Sequence, residues 1–445
     1  MRATSDNEKP GGGRQGGRGL AVLAAISGNA FEWYDFGAFG FMTPVISALF
    51  LPKAQLGEAT VVLLTTALFG VGFVTRPLGG IVLGLYGDRH GHQRAMVLGM
   101  VIMAAAMALM AFAPPYRTGG IVSVAIVVVA RLLQGFSVGG EFATSTTSLI
   151  EMAPPGRRGF FGSWQMTGQV LAQIMGAALG YAVTTLFSHA QLYAYAWRIP
   201  FLFGLAILPL VFVLRRLGAA RRHAGAFAAD AGASAGTALA SLLGQRRQIL
   251  TGMGLVAAST VSFYIIYAYV VTYATTILHL PMAHSYQVQL VAAGAMVLVV
   301  PFSGYLSDLY DRRTIMTASL LLYAVMTLPL YAWLVAAPSI ARLVVVQIAL
   351  SVTSGMFLGT YCTFLVELVS REARATALAV MNNVVVLLVG GFAQFIVTWL
   401  VRASGLKIAP SFFVLGGVLM GLAALASLPA RRPRMRGAEC ARSGA

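Results

Sequence analysis

Residues 84–94 read GLYGDRHGHQR, and residues 304–313 read GYLSDLYDRR. Each segment follows a long apolar stretch, and the second begins 220 residues after the first. Another pair of markers has nearly the same spacing, because Glu151 and Glu367 each precede two arginines and lie 216 residues apart. Two independent pairs at nearly equal offsets predict that the chain is an internal duplication.

The composition is that of a chain surrounded by lipid. Of its 445 residues, 58% are hydrophobic and only 10% are charged, and the mean hydropathy is +0.79. Soluble domains carry about 25% charged residues, and one helical membrane span needs about 20 apolar residues. The apolar stretches lack the alternation of membrane β-strands, so helices are predicted. Twelve such stretches occur, at about 20–49, 59–86, 95–113, 119–149, 160–187, 199–217, 249–278, 287–307, 314–336, 341–366, 376–401 and 409–429.

These stretches predict an all-α integral membrane fold, with twelve transmembrane helices in two six-helix bundles. Repeats that pack around a site at the membrane midplane are typical of secondary transporters. The predicted organisation is a disordered tail (1–19), a first bundle (20–217), a cytoplasmic interdomain loop (218–248), a second bundle (249–429) and a basic tail (430–445).

The distribution of positive charge predicts the topology. When the loops are assigned alternately to two sides, the side that holds both termini has 23 of the 31 lysines and arginines, and the other has six. Such a bias places both termini in the cytoplasm, so a multi-pass protein of the cytoplasmic (inner) membrane is expected. The net charge of +17 therefore suits anionic lipid, and nucleic acid is excluded because the charges form no single surface.

The first half carries charged residues where hydrocarbon is expected. Because a charge inside the bilayer is costly, these residues mark a functional site by default. Glu32 and Asp35 are three residues apart and share one side of their helix. At 100° per residue, Arg131, Gln134 and Glu141 fall within an arc of about 80° together with Ser145. Arg76 either joins this site or extends its side chain to the cytoplasmic surface.

The cytoplasmic loops suggest latches between helices. An Asp can accept hydrogen bonds from a neighbouring helix N-terminus, and arginines can pair with carboxylates at helix ends. Such contacts can hold one access state and break in another, although arginines could also serve topology alone. The candidate gating residues are Gly84, Asp88, Arg89, Arg94, Glu151, Asp308, Arg312 and Glu367.

The segment 84–94 resembles the loop signature of the major facilitator superfamily. Five further motifs are similar to its metabolite:proton symporter family, and most of all to the citrate and tricarballylate carriers. They are GNAFEWYDF (28–36), RPLGG (76–80), RLLQGFSVGGE (131–141), GRRGFFGSWQ (156–165) and WRIPF (197–201). The resemblance implies proton-coupled import of a small organic anion by alternating access, by a protein that functions as a monomer.

In the implied fold, the first and fourth helices line the cavity, so Asp35 and Arg131 can pair. Protonation of Asp35 would free Arg131 to bind a carboxylate of the substrate through its fork of donors. Glu141 and Glu32 are alternative proton carriers. No histidine lies within a span, so carboxylates must carry any proton.

The remaining predicted substrate contacts are neutral. Gln165 and Gln169, with Gln173, follow an i, i+4, i+8 stripe on the fifth helix. Tyr264 and Asn382 add a hydroxyl and an amide from the second half, although packing roles are also open to them. A di- or tricarboxylate such as citrate is the expected substrate. The alternatives are a zwitterionic osmolyte, an aromatic acid, or drug export by proton antiport.

An integral-membrane enzyme would need a different set of residues. We find no clustered nucleophile, metal-ligand set or phosphate-binding loop in the sequence. The two cysteines are far apart in the predicted topology, one in a span and one in the terminal tail, so they indicate neither a disulfide nor a metal site. We therefore expect no enzymatic activity and no cofactor.

Overall fold

The computed structural model describes residues 26–429 apart from 28, 36, 140, 207, 208, 210–243 and 371–373. Within its helices, the side chains of residues 53, 54, 88, 92, 93, 96, 141, 144 and 375 are also outside the description. Both predicted tails, most of the predicted interdomain loop, and the side chains of Asp88 and Glu141 therefore lie outside the described residues.

The first half of the described chain contains six helical spans. We label as α1 the helical residues 29–35 and 37–41, which continue into Thr43–Phe50. The next are α2 (Glu58–Val74 and Arg76–His90), α3 (His92–Phe112), α4 (Ile121–Val138, followed by Glu141–Glu151), α5 (Arg158–Leu186) and α6 (Ala196–Ala206).

The second half repeats this arrangement. Its spans are α7 (Arg246–Phe263, the π-helical segment Tyr264–Ala268 and Val270–Thr276), α8 (Met282–Leu309), α9 (Arg312–Ala336), α10 (Ile340–Leu368), α11 (Arg374–Val385, the π-helical segment Val386–Gly391 and Ala393–Ser404) and α12 (Ala409–Ala426).

Nine of the described helices are long and apolar enough to cross a membrane. The other three labelled spans are α1, which contains one undescribed residue, and the shorter α3 and α6. No β-strand occurs in the described ranges. The all-α prediction is confirmed, and the physical reason is that helices satisfy every backbone hydrogen bond within a single span.

Several spans are irregular near their middle. In α2 the helix is interrupted at Thr75, just before Arg76 and Pro77, because proline has no N–H to continue the hydrogen-bond ladder. In α7 and α11 the interruption is a π-helical segment. π-helical segments frequently mark functional sites. The interruption of α2 directly precedes the buried Arg76, and the segment of α7 begins at Tyr264, which interacts electrostatically with both buried arginines.

The two halves meet along α5 and α8, which pack together over their whole length, and along α2 and α11. Small residues permit the closest approach. A Cβ atom built on Gly159 would lie 2.0 Å from the hydroxyl oxygen of Ser307, and one built on Gly304 would lie 2.5 Å from Cβ of Ser163. Close contact of this kind between membrane helices depends on small side chains at the crossing.

Contacts between the halves close the end of the described structure at which α8 ends and α5 begins. The Asp308 carboxylate at the end of α8 accepts hydrogen bonds from the backbone N–H groups of Gly159 (2.7 Å) and Phe160 (2.9 Å), at the N-terminus of α5. Arg374 at the start of α11 pairs with Glu151 at 3.8 Å. Negative charge at a helix N-terminus is favourable, so Asp308 stabilises this closure.

Other predicted gating residues have different positions. Arg312 pairs with Asp308 at 3.2 Å and also with Glu367, so this part of the latch lies within the second half. Gly84, Arg89 and Arg94 are exposed. Among the described residues, Arg89 and Arg94 form no ion pair, so their gating role stays a prediction.

The opposite end is closed as well. The Tyr286 hydroxyl on α8 donates a hydrogen bond to the backbone oxygen of Phe41 on α1, and Arg402 donates to the Thr60 hydroxyl at 3.0 Å. Between the two ends, the halves also meet at Gly70, where an added Cβ atom would lie 2.6 Å from the Phe392 ring. The described residues therefore adopt an occluded conformation, with contacts between the halves at both ends.

Candidate functional site

Arg131 on α4 is completely buried at the centre of the first half. Its guanidinium donates to the backbone oxygen of Phe69 at 2.8 Å and to Oε1 of Gln134 at 2.7 Å. It also lies 4.9 Å and 5.0 Å from the ring centroids of Phe39 and Phe69. These contacts fix the group in one orientation, and an arginine held in this way is prepared to bind an anion.

Gln134 connects this guanidinium with α1. Its amide nitrogen lies 3.4 Å from the backbone oxygen of Asp35 and 3.2 Å from the sulfur of Met107. The predicted polar stripe of α4 therefore brings Arg131 and Gln134 to the α1 residue that was expected to lie beside them.

The Asp35 side chain is buried, and its Oδ1 atom lies against α6. A Cβ atom built on Gly204 would be 2.3 Å from this oxygen and 2.5 Å from Cε of Met107. A side chain at position 204 would therefore displace the carboxyl group. Gln134 connects Asp35 with Arg131, because its amide contacts both residues. This connection exists in addition to any direct electrostatic contact between the two side chains.

Arg76 belongs to the central cluster and does not extend to the membrane surface. It is only 2% exposed, and its guanidinium lies 5.7 Å from the Trp33 ring and 5.5 Å from the Phe73 ring. Glu32 on α1 and Tyr264 on α7 both interact with it electrostatically. The alternative of a surface-directed Arg76 is wrong, because aromatic side chains of α1 and α2 enclose it.

Tyr264 connects the two arginines across the interface between the halves. Its hydroxyl interacts electrostatically with the guanidinium groups of both Arg76 and Arg131. Its ring packs edge-on against Phe69 and Phe73, with centroids 6.0 Å and 5.6 Å apart. Tyr264 is the first residue of the π-helical segment of α7, and segments of this kind frequently occur at functional sites.

The glutamines of the α5 stripe differ in their hydrogen bonding. Gln165 accepts from the Ser145 hydroxyl at 2.9 Å, and Asn29 donates to its backbone oxygen at 2.8 Å. Gln165 therefore links α1, α4 and α5 within the first half. Gln169 and Gln173 are buried farther along the same helix, and Oε1 of Gln173 has no hydrogen-bond partner.

Asn382 on α11 is buried, and its neighbour Asn383 donates to the backbone oxygen of Gly139 at 2.9 Å. This contact joins the halves close to the backbone of Arg76, because a Cβ atom built on Gly139 would lie 2.1 Å from the Arg76 oxygen. Asn383 therefore helps to hold the halves together, and the substrate contact predicted for Asn382 stays a prediction.

The charges of the described cluster balance. Glu32 and Asp35 supply two negative charges, and Arg76 and Arg131 supply two positive charges. If a proton neutralises one acid, a guanidinium is left without compensation, and a carboxylate of a ligand can then satisfy it. Among the described residues, no group of histidine, cysteine, aspartate or glutamate side chains could hold a metal ion.

Comparison with known proteins agrees with this architecture. A family model described as "Sugar (and other) transporter" matches residues 20–217, and one described as "Major Facilitator Superfamily" matches residues 286–439. In solved structures, a D-xylose-proton symporter superposes with a TM-score of 0.73 at 17% identity, covering 92% of this chain and 96% of that one. At this identity the likeness concerns the fold alone.

Relatives that align over most of their length include two citrate-proton symporters and a proline/betaine transporter. The chain is 35% identical to a "Citrate-proton symporter" of Salmonella typhi, with 93% of this chain and 94% of the relative covered. It is 34% identical to a protein of the same name from Klebsiella pneumoniae, with 93% and 91% covered. It is also 30% identical to a "Proline/betaine transporter" of Escherichia coli (strain K12), with 90% and 81% covered.

The predicted resemblance is confirmed. The relatives are named transporters, so the prediction of a transporter and not an enzyme is confirmed as well. The duplicated six-helix bundles, the buried charges and these matches lead to one conclusion: the chain is a multi-pass membrane transporter that belongs to the major facilitator superfamily.

Proposed function

We propose that this transporter imports a di- or tricarboxylate together with protons, by alternating access across the cytoplasmic membrane. The observation that carries the proposal is the pair of buried guanidinium groups of Arg76 and Arg131, both of which interact electrostatically with Tyr264. Two planar donors suit two carboxylates, because each can bind one carboxylate bidentately. The likeness to two citrate-proton symporters supports this choice of substrate.

Proton coupling follows from the charge balance of the site. Asp35 is the proposed coupling acid, with Glu32 as its assistant and Glu141 as an alternative. When an acid takes up a proton, the guanidinium that it compensates becomes available to the substrate. Loading an anion alone would leave uncompensated negative charge in a medium of low dielectric constant, so substrate and proton bind together.

The occluded conformation supports the proposed cycle. Opening of the periplasmic contacts at Tyr286 and Arg402 would admit substrate to the cluster. Opening of the cytoplasmic contacts at Asp308 and Asn383 would release it. The basic helix ends at Arg158 and Arg312 line one cavity of about 480 Å³ at the Asp308 end, which supports a cytoplasmic location for that end. We propose that the protein works in this way as a monomer.

A zwitterionic osmolyte is the second candidate. It is favoured by the relatives that are named proline/betaine transporters and by the aromatic rings of Trp33 and Phe73, which could contact a quaternary ammonium. However, both rings already face the Arg76 guanidinium, and a single carboxylate would leave one arginine without a substrate partner. The cluster therefore favours the polycarboxylate.

Uptake into membrane vesicles with an imposed proton gradient tests the proposal. Labelled citrate, 2-oxoglutarate and glycine betaine are supplied separately, and each unlabelled compound is tested as a competitor. We expect proton-driven citrate accumulation that other polycarboxylates inhibit and betaine does not. If no carboxylate is transported or competes, the proposed substrate class is wrong.

A further inference from the structure

Buried amide oxygens without hydrogen-bond partners form a distinct set in this protein. Such atoms are uncommon, since an unsatisfied buried acceptor loses its hydration without compensation. Among the described residues, four glutamines have such an Oε1 atom: Gln173, Gln289, Gln347 and Gln394. Gln394 lies at the interface between the two halves, next to Gly40 of α1.

Gln394 on α11 is completely buried, and its amide group is held in one orientation. Its nitrogen donates to the backbone oxygen of Ala268 at 3.1 Å, in the π-helical segment of α7. The same nitrogen would lie 3.4 Å from a Cβ atom built on Gly40 of α1, in the other half. One N–H of the amide is engaged in this way, and the side-chain atom without any hydrogen-bond partner is Oε1, so Oε1 is the acceptor that Gln394 offers to a ligand.

The position of Gln394 relates it to the arginine cluster. A Cβ atom built on Gly40 would also lie 3.0 Å from the Phe69 ring, and that ring packs beneath the guanidinium of Arg131. Movement of α11 away from α1 would expose Gln394 to the periplasmic side of the cluster. Gln394 is therefore placed to contact the part of a substrate that the arginines do not hold.

An amide oxygen can bind only a group that donates a hydrogen bond. An ionised carboxylate has no donor, and a quaternary ammonium has no N–H, so neither can satisfy Oε1 of Gln394. We propose that Gln394 accepts a hydrogen bond from an alcohol group of the substrate, which makes the preferred substrates hydroxy-polycarboxylates. This inference rests on the proposed carboxylate function and narrows it.

Citrate and tricarballylate form a matched pair of probes, because they share three carboxylates and differ in one hydroxyl group. Inhibition of labelled citrate uptake by each unlabelled acid gives a ratio of inhibition constants. We expect tricarballylate to inhibit the unmodified protein about tenfold more weakly, as expected for the loss of one buried hydrogen bond. In Gln394→Met the ratio should fall to about one.

Gln289→Met is the matched control. Gln289 donates to the backbone oxygen of Tyr267 at 2.8 Å, so this variant removes the same kind of support from the π-helical segment of α7. Its ratio of inhibition constants should stay about tenfold. If the ratio falls equally in both variants, the effect passes through α7 and the assignment to Gln394 is wrong.

The outcomes separate this inference from the proposed function. If both acids inhibit the unmodified protein equally, the hydroxyl contact is wrong and the carboxylate function stands. If neither acid inhibits, the carboxylate function itself fails. Should Gln394→Met not transport, Gln394→Asn withdraws the amide by one methylene. The thermal stabilisation of detergent-solubilised Gln394→Asn by each acid then gives the ratio of the two binding constants. If that ratio stays about tenfold, the inference is wrong.

Discussion

Arg76 and Arg131 differ in how the protein holds them. Arg131 is fixed by the Phe69 backbone and by Gln134, whereas Arg76 lies between two aromatic rings and beside Glu32. The polar stripe of α4 could be predicted from the sequence, because its helical spacing is regular. The position of Arg76 could not, because a long side chain near mid-span can extend towards either the surface or the interior.

Loss of Arg76 should weaken substrate binding without destroying the site. In Arg76→Gln we expect the KM for citrate to rise at least about tenfold, because one carboxylate loses a bidentate partner. Initial rates of citrate uptake measure this. Arg342→Gln is the control, since Arg342 also contacts an aromatic ring (Trp333, 4.9 Å) but is half-buried near the start of α10. An unchanged KM in Arg76→Gln would remove Arg76 from the substrate site.

Loss of the carboxyl group at Asp35 should separate transport from proton coupling. Asp35→Asn cannot release a proton, so we expect exchange of internal for external citrate to persist while proton-driven accumulation is lost. Counterflow and gradient-driven uptake measure the two activities. Glu58→Gln, at an exposed helix start, should retain both. If Asp35→Asn still accumulates citrate, the coupling role passes to Glu32 or Glu141.

At the scale of elements, the π-helical segments of α7 and α11 bring the second half to the arginines. A Cβ atom built on Gly390 would lie 2.3 Å from Cγ2 of Thr260 and 3.0 Å from the Tyr264 ring. The helices themselves follow from apolar length, so they could be predicted. The π-helical segments could not, because a single extra residue per turn leaves no periodic signal in a uniformly apolar stretch.

Gly390→Ala should therefore impair both packing and turnover. We expect a loss of about 1–3 kcal/mol in the free energy of unfolding, because the added methyl group meets side chains on a packed element. Thermal unfolding in detergent and the citrate turnover rate measure the two effects. Gly416→Ala on α12 should be neutral or slightly stabilising, since no atom lies within 4 Å of the added group. If Gly390→Ala and Gly416→Ala behave alike, the methyl group added at position 390 makes no strained contact, and this prediction is wrong.

At the scale of the whole molecule, the duplication could be predicted from two pairs of loop markers. The occluded conformation could not, because the balance between access states depends on a few contacts such as Asp308 with the N-terminus of α5. The family comparison confirms the fold, and the contacts at both ends explain how the arginine cluster is closed off.

Weakening the contact between Asp308 and the N-terminus of α5 should favour a state that is open at that end. In Asp308→Asn the charge at the N-terminus of α5 is lost, so we expect a longer distance between spin labels at the exposed residues Pro155 and Thr376. Pulsed electron paramagnetic resonance measures the distance in a background without Cys362 and Cys440. Asp311→Asn is the control, because Asp311 caps α9 within one half. Identical distance distributions in the two variants would contradict a latch at Asp308.

Substrate-driven proton entry tests the central claim most directly. Purified protein is reconstituted into liposomes that contain a pH indicator, with equal pH on both sides, and citrate is added outside. The account predicts internal acidification that is absent from empty liposomes, absent with glycine betaine and lost in Arg131→Gln. Citrate entry without acidification, or equal acidification with betaine, would contradict proton-coupled polycarboxylate transport.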